Sequence, residues 1–276
     1  MVASMTAPGD IRWNLFQGGQ AEAYEEYLVP AIFGPMAADL VDRAAPRSGD
    51  RVLDIACGTG ILVRTAADRV GQSGRVAGVD LNPSMLAVAA RSSRSHPHIE
   101  WVEARAESVP YDDEWFDIVL CQQGLQFFPD PSAALGEMHR LLAPDGRVLI
   151  SVWNDVGRGF DALAAALGHH VSPEAGALAK GPASMRDGTE LANLMRAAGF
   201  SEVFVEAISV RIHFPSTAEF VRQYVSGTPL AAAFERVTES AREQLLGEVA
   251  EQLQDMVDTD GLTFMGKTNV GIGIRR

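Results

Sequence analysis

The sequence predicts an α/β protein: a mostly parallel sheet flanked by helices, with an N-terminal helical cap, inserted lid helices and an antiparallel final edge strand. Three observations carry this. Between Arg51 and about Val152, five short apolar runs alternate with segments of helical periodicity, the pattern of repeated βαβ units. The first run, 51–55, passes straight into Ala56-Cys57-Gly58-Thr59-Gly60 and then into a helical pattern, so a glycine turn joins a strand to a helix. At 276 residues, 47% of them apolar, the chain is long for one domain and short for two, which suits one α/β core with added helices.

The elements follow in order. Residues 21–28 and 31–45 read as two short helices separated by Pro30, and with the preceding tail they make a cap over residues 1–45. The domain proper is expected over 46–276. Strands fall at 51–55, 75–79, 99–102, 116–120 and 147–152, with helices at 60–70, 83–93 and 131–142 between them; Pro83 and Pro131 suit first-turn positions. Ala143-Pro144-Asp145-Gly146 is a turn signal. Beyond it, 160–171 reads as an Ala-rich helix, 172–186 as an irregular connection rich in Pro and Gly, and 190–198 as a helix closed by Gly199. The run 203–212 alternates like a strand, 218–226 and 237–257 look helical, and 264–274 is the expected final edge strand, although glycines interrupt it. Lid insertions are expected at 155–186 and 216–258.

Composition narrows the function. A net charge of −13 opposes the electrostatic footprint needed to hold a phosphate backbone, so no nucleic acid is expected as partner. No apolar run reaches about 18 residues, so no membrane insertion is expected. Met1 to Asp10 has neither a basic nor an apolar region and reads as a loose tail rather than a signal peptide; a cytoplasmic location is the expectation. The two cysteines, Cys57 and Cys121, lack metal-ligand spacing, and neither a zinc-spaced histidine pair nor an acidic magnesium cluster stands out. No metal is expected.

Asp54 lies just before the glycines, where a bound phosphate would be repelled. The ligand this suggests carries positive charge at that end, which points away from diphosphate nucleotides and toward S-adenosylmethionine. A dinucleotide fingerprint would also place a third glycine at position 63, where the chain has Val63. Asp80 ends the second strand, twenty residues after Gly60. A carboxylate at a strand end can accept both hydroxyls of an adenosine ribose. The bland alternatives are a solvated strand end or a cap for the helix starting near Pro83.

Four motifs occur in order: Val52 to Gly60; Val79-Asp80-Leu81-Asn82-Pro83-Ser84-Met85-Leu86; Glu107-Ser108-Val109-Pro110-Tyr111 with Phe116-Asp117-Ile118-Val119; and Glu137-Met138-His139-Arg140-Leu141-Leu142-Ala143-Pro144-Asp145-Gly146. On these the chain resembles the class I S-adenosylmethionine-dependent methyltransferases, in the branch of the ubiquinone/menaquinone-biosynthesis enzymes, from about Tyr24 to Val152. The resemblance implies a Rossmann-like fold and S-adenosyl-L-methionine as cofactor. It also implies that Asp54, Ala56, Gly58 and Gly60 surround the methionine end, that Asp80 holds the ribose, and that Leu81 and Met85 pack near the adenine. Arg105, Ala106 and Glu107 would edge the adenine ring, Cys121, Gln122 and Gln123 would line the floor near the methyl group, and Tyr24 would reach the cofactor carboxylate. Two departures stand out. Ala56 replaces a common glycine, which an ordinary φ would tolerate. Arg105 replaces a common aspartate and has no acceptor to offer the adenine amine, leaving the backbone around Ala106 to serve.

Cys121-Gln122-Gln123-Gly124 follows the fourth strand, where methyltransferases of adenine or glutamine amino groups often carry Asn/Asp-Pro-Pro-aromatic; that substrate class is disfavoured. His169 and His170, ending the Ala-rich helix, are the candidate proton acceptors for a substrate hydroxyl or phenol. Aromatics gather in two places: Trp13, Phe16, Tyr24 and Tyr27 in the cap, and Phe127, Phe128, Trp153 and Phe160 beyond the fourth and fifth strands. In an open parallel sheet ligands bind past the strand carboxyl ends, so Gln123, Phe127 and Trp153 are expected to line a substrate site. The expected function is methyl transfer to an oxygen or carbon of a small, apolar or aromatic molecule by in-line displacement. Two alternatives are a catalytically weak S-adenosylmethionine-binding protein and a nicotinamide-dependent oxidoreductase. The sequence leaves the oligomeric state open.

Overall fold

The computed structural model describes residues 19–276, so Trp13, Phe16 and the N-terminal tail lie outside it. The cap is one unbroken helical rod. Helix α1 (Gln20–Ala23) runs into a π-helical segment, Tyr24–Phe33, and then into α2 (Gly34–Ala44). Pro30 therefore does not divide two helices as expected. A proline inside an α-helix removes an N–H and clashes with the preceding turn; the wider π turn bonds one residue further back, as Gly34 N–H does to Val29 O, and accommodates the ring.

The alternating core follows: β1 (Arg51–Ile55), α3 (Ile61–Val70), β2 (Arg75–Asp80), α4 (Pro83–Ser92), β3 (Ile99–Glu103), β4 (Phe116–Gln122), α5 (Pro131–Leu141) and β5 (Leu142–Asp155). Pro83 and Pro131 do open their helices, each behind a capping side chain: Asn82 accepts the Ser84 N–H and Asp130 the Ala133 N–H. The turn expected at 143–146 is instead a bulge inside β5. Its register with β4 jumps from Phe116/Leu142 to Ile118/Arg147, Asp145 takes a φ of 61°, and the Asp145 N–H bonds Arg275 O. Pairing with the last strand absorbs what would otherwise be a free turn.

After β5 come α6 (Arg158–His170), α7 (Pro173–Lys180), α8 (Gly188–Ala197), β6 (Ser201–Phe214), α9 (Thr217–Ser226), α10 (Ala231–Phe234), α11 (Glu239–Leu253), β7 (Val257–Asp258) and β8 (Gly261–Ile274). The connection at 172–186, expected to be irregular, is mostly helical: Ser172 caps the Ala175 N–H and Pro173 takes the first position, so these residues start a helix rather than prevent one. The helix expected over 237–257 runs from Glu239 to Leu253, and a 3₁₀ turn over Gln254–Met256 leads into β7.

The sheet order is β3-β2-β1-β4-β5-β8-β6, with β7 on β8. Strands β1 to β5 are parallel, and β8 runs antiparallel to β5 and β6. The final strand is thus antiparallel as expected but lies one place in from the edge, which β6 forms. Its glycines permit close helix packing: a Cβ at Gly271 would stand 2.7 Å from the Met195 sulfur of α8. One face of the sheet is buried under α2 and α3 around Leu40, Val63 and Leu120, and the other under α5 and α8 around Leu135, Met138 and Met195. A third cluster, above the carboxyl ends, joins Phe160, Phe214, Phe220 and Phe264 to Leu245 of α11. Each buried phenylalanine is worth about 1.5–3 kcal/mol, so α6, α9 and α11 are packed walls.

Candidate active site

The carboxyl ends of β1, β2, β4 and β5 open into one cavity of about 460 Å³. At its cofactor end the chain leaves β1 through Ala56 (φ 59°), Gly58 (φ 54°) and Gly60 (φ 81°). Ala56 is therefore in the left-handed region, not at the ordinary φ expected, a strain of about 1–2 kcal/mol for a residue with a Cβ. Its methyl fills space that a glycine opposite leaves free, since a Cβ at Gly124 would lie 2.8 Å from it.

Asp80 pins this turn to β2. Its Oδ2 accepts the Gly58 N–H and its Oδ1 the Asn82 N–H, both at 2.8 Å. Burial raises its carboxyl above the usual range, while the backbone N–H bonds pull against the rise. Asp54 is only 2% exposed, and its Oδ1 has no hydrogen-bond partner among the described residues. Burial first, and then the charge of Asp80, push its carboxyl well up. Ala56, Gly58 and Asp80 face the cavity; Asp54 and Gly60 stand behind that surface.

Leu81, Met85, Arg105, Ala106 and Glu107 form the adjoining wall. The Arg105 guanidinium, half-exposed, turns to Glu107 at 3.2 Å. The 105–111 segment is anchored from α5: Glu137 accepts the Val109 N–H at 2.7 Å, and Arg140 donates to the carbonyls of Val109 and Tyr111. Tyr24 stacks on Phe33 at 4.9 Å within the π segment, its phenol raised by burial and by Asp80.

Gln122 and Gln123 behave differently. Gln123 (φ 56°) donates to Thr268 Oγ1 at 2.8 Å and Ser151 Oγ at 3.4 Å and accepts from Gln126 at 3.2 Å, so its amide ties the loop to β5 and β8. Gln122 spends its Nε2 on Phe33 O at 3.1 Å, and its buried Oε1 has no partner among the described residues. Cys121 is fully buried, its thiol pushed up by burial. The far end of the cavity is aromatic, with Phe127, Phe128, Trp153, Phe160 and Tyr224 closed over by Leu178, Pro182 and residues 227–230.

Residues 53–150 match the profile of a methyltransferase domain. A ubiquinone/menaquinone biosynthesis C-methyltransferase from Serratia proteamaculans (strain 568) is 34% identical over 182 residues, 59% of this chain and 71% of the relative. The chain belongs to this methyltransferase family. A 2-phytyl-1,4-naphtoquinone methyltransferase from Thermosynechococcus vestitus (strain NIES-2133 / IAM M-273 / BP-1) is 43% identical over 119 residues, 43% of this chain and 52% of that one. The chain spans about half the length of the curated relatives it matches at 42–43% identity. In fold, this methyltransferase is similar to phosphoethanolamine N-methyltransferase 2 of Haemonchus contortus, solved with S-adenosyl-L-methionine: TM-score 0.62, 19% identity, 99% of this chain and 60% of that one.

The residues at the acidic end of the cavity fit a cofactor that carries a positively charged group. A buried carboxylate with an unpartnered oxygen, Asp54, calls for a cation, and Gln122 Oε1 calls for a donor. The nicotinamide alternative falls with the family assignment. Of the sites expected from sequence, Tyr24, Ala56, Gly58, Asp80, Leu81, Met85, Arg105, Ala106, Glu107, Gln122, Gln123, Phe127 and Trp153 meet at the cavity.

His169 and His170 do not. Both bond Glu248 on α11, at 3.0 and 2.8 Å, and His169 is 67% exposed. Helix α6 reaches the cavity through Phe160, nine residues earlier, and at about 1.5 Å per residue the histidines lie at the wrong end. The sequence reading missed Leu28, Ile32 and Phe33 of the π segment, Tyr224 and residues 227–230. The available signal was the amphipathic pattern of 217–226, with Phe220, Val221 and Tyr224 on one face. Among the described residues, no group of three or more His, Cys, Asp and Glu side chains is arranged to hold a metal ion.

Proposed function

We propose that the protein transfers a methyl group from S-adenosylmethionine to a small aromatic acceptor, at carbon or at a ring hydroxyl, with a quinone-type ring as the best fit. The observation that carries this is one continuous cavity running from the acidic Gly58–Asp80 end to the aromatic chamber of Phe127, Trp153 and Phe160. The relatives' names point to naphthoquinone and ubiquinone-type acceptors. On this reading the acceptor is a small molecule met in the cytoplasm, and a net charge of −13 disfavours nucleic acid.

When bound, the cofactor supplies an electrophilic methyl group on a sulfonium. The chain contributes position, field and dryness. Asp80 takes the ribose hydroxyls; Asp54, Ala56, Gly58 and Gly60 cradle the methionine end; Leu81, Met85 and Arg105-Ala106-Glu107 border the adenine; Tyr24 closes over the turn. The negative charge of Asp54 favours cationic over neutral ligands in a site from which water is excluded. Gln122 Oε1 accepts a hydrogen bond from an acceptor hydroxyl and fixes the ring, while Gln123, held by Thr268, shapes the floor. Alignment of this kind is worth effective concentrations on the order of 10⁵ M. With the histidines elsewhere, a ring hydroxyl of the acceptor that has given its proton to solvent provides the electron density.

Purified protein is mixed with methyl-labelled S-adenosylmethionine and a panel of unmethylated naphthoquinols, benzoquinols, catechols and simple phenols. The expected result is label on a quinol, located by mass spectrometry. Cofactor binding without transfer to any of the panel would defeat the enzymatic reading in favour of a protein that only binds S-adenosylmethionine.

A further inference from the structure

Arg64 stands on α3 outside the cavity wall, yet its guanidinium joins two elements that form that wall. Nη1 donates to Thr59 O at 2.6 Å, inside the glycine turn, and Nη2 donates to Glu25 Oε1 at 2.6 Å, in the π segment. The two side chains are 13% and 23% exposed, so this ion pair is shielded as surface pairs are not. The second Glu25 oxygen is buried without a partner, which leaves Arg64 as the only hydrogen-bonding partner of that carboxylate among the described residues.

Thr59 lies between two glycines, and glycine loses more conformational freedom on ordering than any other residue. The turn is held from both sides: Asp80 accepts the Gly58 N–H from β2, and Arg64 donates to the Thr59 carbonyl from α3. Tyr24 precedes Glu25 in sequence and sits over Gly58, with Cε1 3.9 Å from where a Cβ on that glycine would be. The other ion pair at the start of the cap, Glu22 with Arg91, is half-exposed and contributes little.

We propose that Arg64 is a positioning residue that couples closure of the N-terminal cap to the shape of the cofactor turn, through the bridge Glu25–Arg64–Thr59. The bridge sets cofactor affinity and retention, because a cap that lifts takes Glu25 from the guanidinium and frees the Thr59 carbonyl. This rests on S-adenosylmethionine being the ligand of the turn.

The test titrates the full chain with S-adenosylmethionine by calorimetry as wild type, Arg64→Met, Arg64→Lys, Glu25→Gln and the double variant R64M/E25Q. Arg64→Met and Glu25→Gln should each weaken binding about tenfold, the double variant should be no worse than the poorer single one, and lysine should recover part of the loss. In turnover, the loss should fall on KM for the cofactor more than on kcat. Should Arg64→Met fail to fold, Glu25→Gln carries the same expectation. Affinities within twofold of wild type, or losses that multiply in the double variant, overturn the coupling. A wild type that binds no S-adenosylmethionine overturns the cofactor assignment itself, a result distinct from variants that match a binding wild type.

Discussion

Replacing Asp54 with asparagine separates two effects of one buried charge. Without cofactor, the carboxylate is 2% exposed, has an unpartnered oxygen and faces the charge of Asp80. Asparagine keeps the shape and leaves a polar group buried, so it relieves only the cost of the charge that faces Asp80, above the raised folded value of the carboxyl. The cofactor-free variant should therefore be more stable by about 1 kcal/mol, a rise in Tm of about 2 °C for a chain of this size. With a cationic cofactor the sign reverses, because truncating one member of a buried charge pair costs about 2 kcal/mol or more, about thirtyfold in Kd. The pH dependence follows from the raised carboxyl. A proton bound more tightly in the folded than in the unfolded state makes Asp54's contribution to stability full below the unfolded value near 4 and lost as pH rises through the raised folded value. A bound cation lowers that value, so cofactor binding releases a proton within this window and tightens as pH rises; the variant should lose that slope. Thermal unfolding with and without S-adenosylmethionine, and calorimetry in two buffers of different protonation enthalpy, measure both signs. A variant with lower cofactor-free Tm and unchanged affinity would refute the reasoning and make Asp54 a scaffold of the turn.

Glu137→Gln tests the anchor of the 105–111 segment. The Arg140 bond chiefly, with the Val109 N–H, holds the Glu137 carboxyl below its usual range, so its stabilisation is present above the unfolded value near 4.3 and lost as pH falls through the folded one. Chemical unfolding should show the variant about 1 kcal/mol weaker at pH 7, with the gap closing below about pH 4; a gap independent of pH would mean lost packing instead. Ala56→Gly relieves a left-handed alanine and should raise the urea midpoint by an amount equivalent to about 0.5–1 kcal/mol, where a fall would show that the Ala56 methyl contact with Gly124 outweighs the strain. The double variant His169→Asn, His170→Asn should retain methyl transfer, and a loss of about a hundredfold or more in kcat would restore the histidines to the chemistry.

The strands from β1 to β5 were legible because buried parallel strands write short apolar runs punctuated by turn residues, and Asp54 and Asp80 were legible because they sit at fixed offsets from the glycines. What was hidden depends on neighbours. Pro30 signals a break locally, but a π turn admits it; Pro144-Asp145-Gly146 signals a reversal, but pairing with Arg275 straightens it into a bulge. The glycines of β8 look like strand breakers until Met195 is seen against Gly271. The aromatic chamber draws on α6, α7, α9 and residues 227–230, which are far apart in the chain, so no local pattern could assemble it. His169 and His170 were assigned by helix membership, and helix membership does not say which end faces the cavity.

The aromatic cluster above the sheet has a mechanical meaning. Phe160 lies on α6 and Phe220 on α9, but Phe264 lies on β8 and Phe214 on β6, and their rings interlock at 5.0–5.5 Å. The roof is bolted to the floor. Helices α6 and α9 are therefore poor candidates for a hinged door, since swinging them out would extract phenylalanines from the same cluster that caps the sheet. Another seam of the chamber runs between the N-terminal rod and the 227–230 loop, where Gly227 packs against Leu28 and Tyr24. A probe for opening, whether hydrogen exchange or a spin label, belongs on that seam.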